Sequence, residues 1–191
     1  AKGERGEPAD PRLLRGHVAG GVRDDDTDYT VLAVRVLERY GLDFTPRQVA
    51  EQWLEDLPFG QTYTAERATY RNFVNGVWPP ASARERNPWR EWIGAQIRAD
   101  LWGYVSPGRP ERAAELAYRD ASISHTRNGM YGEMWVAAML AAAFVTSDPG
   151  QVVRIGLSEI PEESRLAEAI RNVVEWRESD ARPRRTMDRI L

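Results

Sequence analysis

The sequence predicts an all-α fold, and three observations carry that reading. Apolar residues recur at helical spacing along most of the chain. No run keeps a period of two, and no hairpin dipeptide sits between two such runs. Capping residues with first-turn prolines, and glycines that close apolar stretches, punctuate the chain at helical intervals. At 191 residues the chain suits one domain or a large part of a bigger one, and an apolar share of 42% supplies a core.

Residues 1 to about 22 carry Gly, Pro and charge without periodicity and read as loop. From Thr27 a helix places Val31, Leu32, Val34, Val36 and Leu37 mostly on one face, and Gly41 stops it. Thr45-Pro46 caps a helix through Val49, Trp53 and Leu54 to Pro58. Thr64 to Val74 is a further helix, and Asn75 to Pro88, with three prolines, is a long loop. Trp89 to Trp102 reads as helix, ended by Gly103 and the Ser106-Pro107-Gly108 turn. Pro110 starts a helix reaching toward His125, and Arg127-Asn128-Gly129 reads as a turn. Met134 to Phe144 is a small-residue helix able to pack on all sides, and Asp148-Pro149 opens a short one. Pro161 opens the last, with Leu166, Ile170, Val173, Val174 and Trp176 on its apolar face, and residues 179–191 form a basic, frayed tail.

Composition narrows the function. There is no cysteine, which excludes disulfides, thiol catalysis and cysteine-ligated zinc. A net charge of -3 gives no basic field to attract a nucleic-acid duplex. The longest apolar stretch, Val136 to Val145, is about half a membrane span. The N-terminal AKGERGEPADPR has no apolar core and does not read as a secretory signal, so the expected location is the cytoplasm. Arg is dense and Lys2 is the sole lysine, a bias read mainly as genome composition.

The chemically loudest stretch is Arg23-Asp24-Asp25-Asp26-Thr27-Asp28. Crowded carboxylates repel unless solvated or neutralised, and hard divalent cations take such oxygen ligands. The ordinary structural reading is an acidic helix N-terminus, where Asp and Thr cap and complement the dipole. An EF-hand loop fails, because the positions needing Gly and Glu hold Tyr29 and Arg35. Asp24, Asp25 and Asp28 also fit the DDxxD pattern of isoprenoid-diphosphate enzymes, but no second acidic motif accompanies it.

Two blocks together resemble the ADP-ribosylglycohydrolase family over roughly residues 20 to 178. The first, DDDTDYTVLAVRVLERYG, is similar to the family's metal motif, a Thr-Asp-Asp-Thr stretch running into an apolar helix. Asp25, Asp26 and Thr27 match it, with Asp24 where the family usually has threonine. The second runs from Asn87 to Phe144 and is similar to the central block that lines the family's ADP-ribose cleft. Gly94, Ala95 and Arg98 match a Gly-Ala/Ser-x-x-Arg segment, and Ser124-His125 a later Ser-His pair.

The resemblance implies a compact orthogonal multi-helix bundle that hydrolyses the bond between ADP-ribose and a modified side chain or small acceptor. It implies a binuclear magnesium or manganese centre, here through Asp24, Asp25 and Asp26, with Asp25 and Asp26 in the catalytic role. Gly94 and Ala95 permit close approach, and Arg98, four residues after Gly94, shares its face on a helix. Arg98 serves a diphosphate or pairs with Asp100 or Glu91, and His125 bonds the diphosphate or a ribose. Asn128, Gly129, Tyr131 and Gly132 form the adjoining loop, the glycines exposing N–H groups to an anion. The family's upstream Gly-Asp segment and downstream Gly-x-Asp-Thr-Asp motif have no match, which leads us to expect a partial domain with an incomplete metal shell. Self-association or a complementing chain is the expected consequence, and a non-catalytic ADP-ribose-binding module is the alternative function.

Overall fold

The computed structural model describes residues 24–179 and 182–190, and within them every regular element is a helix. Asp24 is extended, so its Oδ1 accepts the Asp26 N–H at 3.0 Å and caps α1 (Asp25–Tyr40). Asp25, Asp26 and Asp28 follow in the first turn, where the helix dipole favours anions. The helix therefore starts two residues before Thr27, and the acidic run is its cap as well as a cluster. Tyr29, Leu32, Ala33 and Val36 form the buried stripe of α1. α2 (Pro46–Asp56) begins as expected, with Pro46 in the first turn and Thr45 and Gln48 forming a capping box.

α3 (Thr64–Val74) buries Ala65, Ala68 and Phe73 but also Glu66, Thr69 and Asn72. The Asn72 amide donates to Ser82 O at 2.8 Å and Glu85 O at 2.7 Å, which fastens the loop that follows. That loop is as long as expected, apart from a short 3-10 turn at Ala81–Ala83. Asn87 ties its far end to Ser124 O at 2.9 Å.

The helix expected over 89–102 is replaced by turns, a 3-10 segment Ile93–Arg98 and the short α4 (Asp100–Tyr104). Glu66 presses on Gly94 from one side, and α6 (Asn128–Ala143) presses on the segment from the other. Packing on both faces favours the tighter turn over intrinsic preference. With three residues per turn, Gly94 and Arg98 no longer share a face.

α5 (Pro110–Ala121) stops four residues short of His125. α6 begins at Asn128, so Asn128, Gly129, Tyr131 and Gly132 occupy its first turns rather than a loop. It is apolar all round and forms the hub of the fold, contacting α4, α5, the 3-10 segment, α7 (Pro149–Ser158) and α8 (Arg165–Ser179). Ala137, Ala138, Ala141 and Ala142 are at most 1% exposed, so small side chains let these neighbours approach closely.

Pro161 precedes a turn, and α8 starts only at Arg165, with Ser164 Oγ accepting the Ala167 N–H at 3.1 Å. Of the expected apolar face of α8, only the neighbouring Ala167 is fully buried. The tail is not simply frayed: residues 183–190 form α9 (Pro183–Ile190), packed on α8. The expected loop over residues 1–22 lies outside the described residues.

The excess of tryptophan is used in the core. Trp53 lies against Tyr29 and Phe73 at centroid distances of 5.1 and 6.4 Å, and Trp102 stacks on Phe44 at 4.8 Å. These rings each bury large apolar area and fix their neighbours' orientation. Leu116 on α5, 2% exposed, belongs to the same core and is not part of the site. Leu116→Ala is expected to lower urea-measured stability by about 2–5 kcal/mol. The exposed Val34→Ala should change it by less than about 0.5 kcal/mol.

Candidate active site

α1, α3 and the 3-10 segment enclose a cleft of about 240 Å³ whose lining includes Asp25, Asp26, Tyr63, Glu66, Trp92 and Gly94. Two features that the sequence pointed to separately, the acidic pair and Gly94, therefore meet in one place. Tyr63 and Trp92 at this cleft remain half-exposed, an open aromatic rim suited to a sugar or base.

Asp24, Asp25 and Asp26 each offer one carboxylate oxygen, and these oxygens lie within 4.8 Å of one another. Partial burial raises the proton affinity of Asp25, as do the hydrogen bond with Asp24 and the charges of Asp26 and Asp24. A cation would relieve that repulsion, and hard oxygen donors suit magnesium or manganese. The donor set is of the kind that would hold a divalent metal.

Glu66 was not singled out from sequence, yet it is the buried carboxylate of this cleft. A Cβ built on Gly94 would fall 2.7 Å from Glu66 Oε2 and 2.8 Å from its Cδ, so glycine makes room for the acid. Burial raises the proton affinity of Glu66, and the Arg98 charge only partly opposes it.

Arg98 itself is 1% exposed and does not face the cleft as a free cation. Its Nε donates to Asp120 Oδ2 at 2.6 Å and its Nη2 to Asp120 O at 3.2 Å. Nη1 donates to Glu66 at 3.2 Å and Ser124 Oγ at 2.9 Å, and Nη2 also reaches Glu133 at 3.4 Å. A guanidinium has five N–H donors, and all five are engaged. None is left for a diphosphate, and neither Asp100 nor Glu91 is a partner. The face of the guanidinium lies over Trp53 and Tyr29, at 5.1 and 5.7 Å from the ring centroids.

Ser124 and His125 extend this cluster. Ser124 Oγ accepts from Arg98 and shares a hydrogen bond of 2.8 Å with His125 Nδ1. His125 Nε2 faces Glu66 Oε1 at 3.8 Å and makes no hydrogen bond. Burial, and the charge of Arg98, hold the imidazole neutral well below the usual histidine range.

The remaining expected ligand residues serve packing. Gly129 donates its N–H to Thr126 O at 3.2 Å, and a Cβ there would fall 2.8 Å from Arg90 O. Gly132 is buried against Gln96, and Ala95 is fully buried. Both glycines thus let α6 press on the 90–96 segment rather than present N–H groups to an anion. Asn128 donates to Glu91 at 2.8 Å and accepts the Leu166 N–H at 3.1 Å, linking that segment to α8. Tyr131 lines a different, arginine-bearing cleft.

The described residues thus form an all-α bundle in which an aspartate cluster and a buried carboxylate share one cleft. The chain belongs to the ADP-ribosylglycohydrolase family, whose sequence model matches residues 3–190. No curated protein and no solved structure matches it. The family supports a glycohydrolase-type function on ADP-ribosylated substrates and is in general metal-dependent. No helix among the described residues is long and apolar enough to cross a membrane.

Glu133 makes the cluster sensitive to pH. Its carboxyl is fully buried, and burial followed by the nearby Asp120 charge raises its proton affinity well above the ordinary value of 4.5. The folded state then holds a proton that the unfolded state releases, so this contribution is complete below pH 4.5 and is lost as pH rises through the raised value. Urea titrations from pH 5 upward should show stability falling more steeply in the native protein than in Glu133→Gln. Equal slopes would mean that Glu133 is ionised in the fold.

Proposed function

We propose that this chain is a metal-dependent hydrolase that cleaves the glycosidic bond between ADP-ribose and a modified side chain or small acceptor. The observation that supports this most is the single cleft shared by Asp25, Asp26, Glu66 and Gly94. In this reading Asp24, Asp25 and Asp26 hold magnesium or manganese, which when bound supplies Lewis acidity and orients the ribose. Tyr63 and Trp92 flank the sugar. Glu66 is the acid–base carboxylate: water adds to the ribose anomeric carbon, the bond to the acceptor breaks, and Glu66 takes the proton released from water and passes it to the departing acceptor. Arg98 and Ser124-His125 are positioning residues that fix where Glu66 sits. A cytoplasmic location belongs to this reading.

A second reading has an observation in its favour. Among the described residues Asp24, Asp25 and Asp26 form the one cluster with metal-ligand spacing. Three adjacent aspartates alone do not complete a two-metal centre, and a module that binds ADP-ribose without cleaving conjugates needs no such centre.

Calorimetry with ADP-ribose, with and without magnesium or manganese, tests the proposal together with hydrolysis of ADP-ribosylated arginine and serine peptides. Hydrolytic function predicts metal-strengthened binding that Asp25→Asn/Asp26→Asn weakens at least tenfold. It also predicts turnover that Glu66→Gln reduces by roughly 10²–10⁴-fold with binding retained. Binding indifferent to metal and to the Asp variants, with no turnover, would replace it by the binding module.

A further inference from the structure

A groove of about 350 Å³ adjoins the acidic cleft and is lined by Phe59, Thr64, Arg67, Ala68, Arg71 and Trp89. Thr64 lines both, so the two are continuous there. Thr64 also holds a φ of 37°, a left-handed conformation costly for a β-branched residue, at the joint where α3 begins. A ribose held in the acidic cleft would carry its acceptor on the anomeric carbon, and the acceptor has to continue into whatever adjoins that cleft.

α3 divides its side chains between the two. Glu66 and Arg67 are consecutive and so project about 100° apart around the helix, the acid into the cleft and the cation into the groove. Arg71 comes one turn later, on the same face as Arg67. Exposed helix arginines ordinarily sit three or four residues from an acid, whereas like charges at that spacing repel. Here the neighbours of Arg67 at four residues are Tyr63 and Arg71.

The positive charge of the groove is also uncompensated from elsewhere. Arg67 lies over the rings of Phe59 and Tyr63, 5.5 Å from each centroid, and forms no ion pair or hydrogen bond among the described residues. Ring faces hold a cation in place without neutralising it. Arg71 donates to Arg86 O at 3.2 Å, which orients its guanidinium, and it too has no acidic partner there. No acid lines the groove. Its apolar wall is equally prepared: Phe59 is fixed edge-on against Tyr70 at 5.6 Å yet stays 49% exposed, and Trp89 is half-buried.

We infer that this groove reads the acceptor: it takes peptide next to an ADP-ribosylated residue and favours an acidic side chain there, held by Arg67 and Arg71. An apolar neighbour of that acid would lie against Phe59 and Trp89. Guanidinium forks match carboxylates bidentately, and aromatic walls add apolar contact. The count of charges favours a peptide over a nucleic-acid strand. A strand brings a phosphate with every nucleotide, and it would meet only two unpaired arginines beside Asp24, Asp25 and Asp26. The inference rests on the hydrolase reading for the place of the sugar.

The test uses the full chain with magnesium and two peptides that carry ADP-ribose through a non-hydrolysable triazole linkage. They are identical except that the residues flanking the linkage are Asp in one and Asn in the other. Calorimetry should find the Asp peptide bound about fivefold tighter or more, as two exposed ion pairs can supply. That preference should shrink as salt rises and vanish in Arg67→Gln/Arg71→Gln. Both arginines are exposed, so the variant should keep its circular dichroism spectrum and its affinity for free ADP-ribose. Equal affinity for the two peptides, no binding of either, or a preference that survives in the variant overturns the inference, even if the protein hydrolyses ADP-ribosyl conjugates. A single-stranded oligonucleotide that displaces the Asp peptide better than an unmodified acidic peptide does also overturns it. An arginine-dependent preference without turnover of hydrolysable conjugates upholds the groove while the hydrolase reading fails.

Discussion

One buried guanidinium organises the interior of this protein. Arg98 places its five N–H donors on Glu66 of α3, on Asp120 of α5 through both side chain and backbone, on Ser124, and on Glu133 of α6. Residues 66, 98 and the 120–133 stretch are thereby held at one point around a single positive charge. Each of these groups loses its hydration on burial, so each depends on the others to be tolerated there. The aromatic faces of Trp53 and Tyr29 cover the guanidinium and tie the cluster to the apolar core.

The cluster gives the fold a functional asymmetry. Glu66 is pulled toward Arg98 on one side and lines the acidic cleft on the other, so a structural anchor also presents a carboxylate beside Asp25 and Asp26. Ser124 passes the same constraint to His125, whose neutral ring stands between the acidic and the arginine-lined clefts. The 90–94 segment lies between these two clefts and is held against α6 by the absence of side chains at Gly129 and Gly132.

Much of the helical framework was legible because its signals are local. Thr45-Pro46 and Asp148-Pro149 announce α2 and α7 through capping chemistry that needs no distant partner. The apolar spacing of residues 89–102 favours a helix, while Glu66 and the glycines of α6, both remote in sequence, impose a tighter path up to Arg98. In the site, the aspartates were visible as crowded charge. Glu66, Asp120 and Glu133 were not, since single acids at wide separation show no pattern until the fold collects them. Glu133 did leave a trace, as the one charged residue of the otherwise apolar α6. Arg98 was expected to meet a ligand because nothing local reveals that its partners are internal.

The dependence of the architecture on Arg98 is tested most directly by the urea-unfolding stability of Arg98→Met at neutral pH. Removal of the shared cation leaves Asp120 and Glu66 buried without their charge partner, and the account predicts a loss of about 3–5 kcal/mol. A variant as stable as the native protein, or more stable, would show that the carboxylates are accommodated without the guanidinium and would contradict it.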